Sequence, residues 1–189
     1  MQAVFIHEDD LGLIELLPLS DWQFCENELK EIQCFAREHA DPSGIGWTDI
    51  YMRGRPPFDL SGLRITRQSI IDLIGGELVL FDRVMTGYST YAEPLEGTIA
   101  FGLDSGPVIY VLSNEQDLAA ATCIEPTARD IKSEEALTRV LLRLGEGNQL
   151  LLVDRLRGLL ANLSDADSVS SYMGRRLLRD SSAPSSARH

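Results

Sequence analysis

The sequence predicts an α+β protein: a mostly antiparallel sheet centred on residues 97–112 and packed by amphipathic helices. Three observations predict it. Thr98 to Leu103 and Val108 to Leu112 are rich in β-branched and aromatic residues and flank Asp104-Ser105-Gly106-Pro107, the chemistry of a tight turn. Segments 20–40 and 133–163 carry apolar residues at helical spacing. The chain has 189 residues, 44% of them hydrophobic, enough to bury a core without disulfides.

Val108 to Leu112 is apolar on both faces, so it is expected at the centre of the sheet. At the N-terminus, Ala3–His7 and Leu11–Leu17 read as short strands around Glu8-Asp9-Asp10. The clearest helix runs from Ser20 to Ala40. Ser20 and Gln23 suit a capping box, and Leu19 and Phe24 a hydrophobic staple. Trp22, Cys25, Leu29, Ile32 and Phe35 form its inward stripe, with Glu26, Glu28, Lys30, Glu31 and Glu38 outside. Asp41-Pro42-Ser43-Gly44 ends it.

Gly46 to Arg53 reads as extended, and Gly54-Arg55-Pro56-Pro57 as a loop. Thr66 caps a short helix to Ile74, stopped by Gly75-Gly76. Glu77 to Met85 reads as a strand. Residues 86–91 combine Tyr88 and Tyr91 with hydroxyls and a glycine. Either an edge strand with cross-strand pairs or a recognition surface fits that composition. Asn114 to Ala121 is a short helix or turn, and Thr122-Cys123-Ile124 returns to the sheet. Helices are expected at Ser133–Leu144, Asn148–Leu163 and Asp165–Leu178. One domain over 1–180 is expected, with residues 181–189 as a disordered tail of low apolar content.

The net charge is −12 and lies unevenly. Residues 1–50 hold eleven acids against Lys30 and Arg37, a segment charge of −9. A nucleic-acid partner is disfavoured, because phosphates demand a basic footprint. A basic protein surface is the better complement. No apolar run reaches the length of a membrane span, and the acidic N-terminus lacks the basic start of a signal peptide. Three cysteines without a CxxC disfavour a disulfide framework or zinc site and suit a reducing cytoplasm.

The sequence shows no G-x-S-x-G elbow and no H-E-x-x-H pair. His7 beside Glu8, Asp9 and Asp10 resembles a metal cluster only in composition, since consecutive residues at a strand end diverge. Cys34 and His39 are about 140° apart around their helix. Glu93 with Glu96, and Asp82 with Asp104, are the pairs a carboxylate-lined cleft would use. No catalytic, cofactor or metal residue is assigned on these grounds.

The opening Val4-Phe5-Ile6-His7-Glu8-Asp9-Asp10, continuing through Ile14-Glu15-Leu16-Leu17-Pro18, resembles the start of immunity proteins encoded beside bacterial polymorphic toxins. The resemblance implies a stoichiometric inhibitor of a contact-dependent or type VI-delivered toxin, with no catalytic residues. The expected partner is a cognate toxin with a basic surface. The expected contacts are Glu8, Asp9 and Asp10 at the first turn, Glu26, Glu28 and Glu31 on the helix, and Tyr88 and Tyr91 as anchors. The alternatives are a small hydrolase with a carboxylate-lined cleft and a non-catalytic subunit of a larger assembly.

Overall fold

A computed structural model describes residues 3–44, 46–52, 60–88, 91–103, 106–125 and 131–182, without the side chains at 88 and 177–182. Its strands are β1 (Ala3–Phe5), β2 (Ile14–Pro18), β3 (Val79–Leu80), β4 (Arg83–Tyr88), β5 (Tyr91–Pro94), β6 (Thr98–Gly102), β7 (Val108–Ser113), β8 (Ala119–Glu125), β9 (Leu150–Asp154) and β10 (Leu159–Asn162). Its helices are α1 (Trp22–Glu38), α2 (Arg67–Ile74), α3 (Ile131–Gly145) and α4 (Ala166–Ser182). The fold is α+β, with a seven-stranded antiparallel sheet ordered β10-β9-β2-β8-β7-β6-β3. A three-stranded sheet, β1-β4-β5, joins β1 to β4 in parallel.

Side-chain alternation divides the molecule into layers. Ile14 and Leu16 of β2, Ile109 and Val111 of β7, and Leu150 and Leu152 of β9 meet the apolar faces of α2, α3 and α4. The opposite face is shared. Leu17, Leu151 and Val153 pack on Cys25 and Leu29 of α1, while Ala100, Val108, Tyr110 and Cys123 pack with Ile6, Phe81 and Val84 beside the small sheet. Strands covered on both sides need continuous apolar runs, and β7 and β9 supply them. The sheet's middle strand is β8, with β7 beside it.

Several elements differ from expectation. Residues 148–163 form the β9–β10 hairpin, not a helix. Leu152, Leu156, Leu159 and Leu163 fit a helical stripe, but Leu150 to Val153 are buried on both faces between two layers. Gly158, with φ +63°, closes the turn. Residues 77–85 split into β3 and β4, because the chain leaves the large sheet at Phe81, whose N–H donates to Ala100 O, and enters the small one. Asn114 makes a turn: its Oδ1 accepts from the N–H groups of Gln116 and Leu118, and β8 follows.

Segment 46–52 holds one bridge, Ala40 with Trp47, and no strand. Ser20 and Gln23 make no capping box: Ser20 Oγ donates to Asp21 and Gln23 Nε2 to Glu26. Thr66 does cap α2, accepting from Ser69 N–H at 3.1 Å. On α1, Leu29 and Cys25 are buried, whereas Trp22 and Ile32 are half-buried at the rim of their cluster and Phe35, also half-buried, packs instead on His39 and Tyr51. Residues 54–57, the Asp104-Ser105 turn and tail positions 183–189 lie outside the described residues, whereas 181–182 belong to α4.

Candidate functional site

Glu8, Asp9 and Asp10 form one exposed turn of 3-10 helix between β1 and β2. On α1, Glu31 is exposed and Glu26 half-exposed. Lys30, 3.1 Å from Glu26, holds that carboxyl below its usual range, helped by the Gln23 amide. Glu28 corrects the expectation of a surface contact. It is 6% exposed, because its position three residues after Cys25 lies on the inward stripe and Arg155 meets it there. Tyr91 is exposed on the outer strand of the small sheet, and its hydroxyl donates to Glu93 at 2.8 Å. Tyr88 pairs with Tyr91 through the backbone ladder, and its side chain lies outside the described residues.

The residues that sequence reasoning passed over lie just beyond α1. Segment 46–52 folds back along the helix. Asp41 N–H donates to Gly46 O at 3.0 Å and Thr48 N–H to His39 O at 2.8 Å. Tyr51 turns inward: its ring meets Phe35 edge-on at 5.5 Å, and its hydroxyl lies 3.4 Å from Glu31. Phe35 also stacks on His39 at 4.1 Å. Trp47, Ile50 and Met52 turn outward and are 68%, 78% and 81% exposed. Their only sequence signal was apolar character without helical or strand period, in a segment bounded by glycines and prolines.

Beneath this surface the charged groups are paired. Arg155 enters the layer between β2 and α1, where Nη1 lies 2.7 Å from Glu15 and Nη2 2.8 Å from Glu28. Its Nη1 also donates to Gly12 O at 2.8 Å. On the other face of the sheet, Asp154 is fully buried and accepts from Tyr172 Oη and Arg157 Nη1, each at 3.1 Å. Burial, and then the Asp154 charge, push the Tyr172 hydroxyl far up, so it stays a donor. Arg176 is fully buried and reaches Glu134 at 2.9 Å through Nη1, while its Nε and Nη2 meet no partner among the described residues.

The thiols are poor nucleophiles in this setting. Burial pushes Cys25 and Cys123 up to about 11. Cys34 is exposed, but its bond to Glu38 raises it as well. Among the described residues, no group of three or more His, Cys, Asp or Glu is placed to hold a metal ion. A crevice of about 10 Å³ between α2, β2 and β7 is walled by Leu16, Leu60, Ile74 and Val111, with room for about one water. Tyr110 ties the two sheets together, its hydroxyl 3.0 Å from both Phe5 O of β1 and a Glu125 oxygen of β8.

Comparison with protein families, with curated proteins and with solved structures gave no match to this chain. Among the described residues, no helix is long and apolar enough to cross a membrane.

Proposed function

We propose that this protein is a stoichiometric inhibitor of the immunity class, neutralising a cognate toxin by docking an acidic surface on a basic one. The observation that carries the reading is the placement of uncompensated acids. Glu8, Asp9, Asp10 and Glu31 all reach solvent, and among the described residues no lysine or arginine pairs with them. Such a field draws in a basic partner and disfavours acidic ones. The resemblance of the first eighteen residues to immunity proteins supplies the class of partner. The cytoplasm, where a delivered toxin acts, is the proposed site of action.

The test pairs the purified protein with the product of the gene adjacent to its own. Binding by titration calorimetry, together with rescue of growth in cells expressing that product, is expected. If it neither binds nor protects, the inhibitor reading is wrong.

A further inference from the structure

We propose that Trp47, Ile50 and Met52 are the apolar anchors of the docking surface, seated in apolar sockets of a basic protein partner. This rests on the inhibitor reading above and adds to it the residues that set complex lifetime.

The three side chains are the outward half of a segment that is otherwise tied down. Its backbone is fixed to the end of α1 by the Asp41–Gly46 and Thr48–His39 bonds, and its inward half is Tyr51, held on Phe35 and Glu31. Trp47, Ile50 and Met52 are 68%, 78% and 81% exposed within six residues of one another. Scattered apolar residues on a surface are ordinary, but three large ones together on a fixed segment mark an interaction site. Holding them in place before binding lowers the ordering cost of association.

The charge around them selects the occupant. Around the segment the acids Glu31, Glu38, Asp41 and Asp49 stand against Arg37 and, next in sequence, Arg53 and Arg55, and the chain as a whole carries a net charge of −12. A second copy of this chain would set acid against acid across the interface, and an anionic membrane would be repelled in the same way. A basic protein surface with apolar sockets satisfies both features. In such an interface, anchors buried at the centre govern dissociation, and charges at the rim govern association.

The experiment measures stopped-flow association and dissociation with the purified adjacent-gene product as the probe. It compares wild type, the W47A/M52A double variant and the E8K/D9K double variant, whose charges make no contact with the anchor segment among the described residues. All four altered side chains are exposed, and circular dichroism melts verify that each variant is folded. W47A/M52A is expected to speed dissociation about 30-fold while changing association less than about threefold. E8K/D9K is expected to slow association about tenfold and flatten its salt dependence.

If wild type binds and W47A/M52A dissociates at the wild-type rate, the anchor assignment falls while the inhibitor reading stands. If wild type does not bind, both fall. Sedimentation of the protein alone covers the remaining occupant. A wild-type dimer that W47A/M52A abolishes would give the patch to a second copy and overturn the basic-partner assignment.

Discussion

Arg155 grips Glu28 side-on, with Nε at 2.9 Å and Nη2 at 2.8 Å from the same carboxylate oxygen. The two residues are 127 positions apart in the chain. Their contact fastens α1 to the turn after β9, and the remaining nitrogen extends the tie to Glu15 of β2 and to Gly12 O. Arg155→Met would leave two buried carboxylates without their cation. The expected loss is about 3–5 kcal/mol in urea unfolding. Arg155→Lys keeps the charge but not the fork, and should lose less. A loss below about 1 kcal/mol for Arg155→Met would show that the ion pairs do not hold the helix.

Arg176 offers an internal comparison. Its side chain is buried like that of Arg155, but its Nε and Nη2 have no hydrogen-bond partner among the described residues, so the native state already bears their desolvation. Arg176→Met removes that cost while losing one bond to Glu134. Its unfolding free energy should fall by less than half as much as that of Arg155→Met. Equal losses would contradict the inference that unsatisfied donors separate the two sites.

The thiols give a chemical and a pH prediction. At pH 8 the native protein should show one accessible thiol, Cys34, reacting in a disulfide-exchange assay more slowly than free cysteine because Glu38 disfavours its thiolate, with Cys25 and Cys123 reacting only on unfolding. The folded-state values of Cys25 and Cys123, about 11, stand above the ordinary 9.0 because burial disfavours the thiolate. Their contribution to stability is therefore complete below about pH 9 and is lost as pH rises toward 11. Melting temperatures of wild type and a C25A/C123A variant between pH 8 and 11 measure it. The wild type should lose stability more steeply over that range, and parallel curves would refute the assignment.

Gly145 ends α3 against the chain that leads into α4. A Cβ there would strike the carbonyl carbon and oxygen of Leu163, which are backbone atoms and cannot swing aside. Gly145→Ala should cost about 3 kcal/mol in equilibrium unfolding, near the upper end for overpacking. Gly158, at φ +63°, faces only the flexible amide end of Gln33. Gly158→Ala should cost about 1 kcal/mol, for the left-handed backbone. The reverse order would mean that the α3 terminus can shift to accommodate a methyl group.

Local chemistry determined those elements whose signals lie within one turn or one hairpin. Thr66 and Ser69 are three residues apart, so the cap of α2 could be read from sequence. The inward Cys25 and Leu29 of α1, the Leu137–Leu144 face of α3 and the β6–β7 hairpin were legible by periodicity in the same way. Leu150 to Leu163 was not, because a dense leucine run satisfies both the helical and the strand period. Only the layers above and below it selected the β9–β10 hairpin. Glu28 was misplaced because its charge argued for the surface while its spacing argued for the core. The counter-charge that settled the matter, Arg155, is brought there by tertiary folding. Trp47, Ile50 and Met52 likewise drew no expectation of exposure, because whether an apolar side chain is covered depends on what the rest of the chain lays over it.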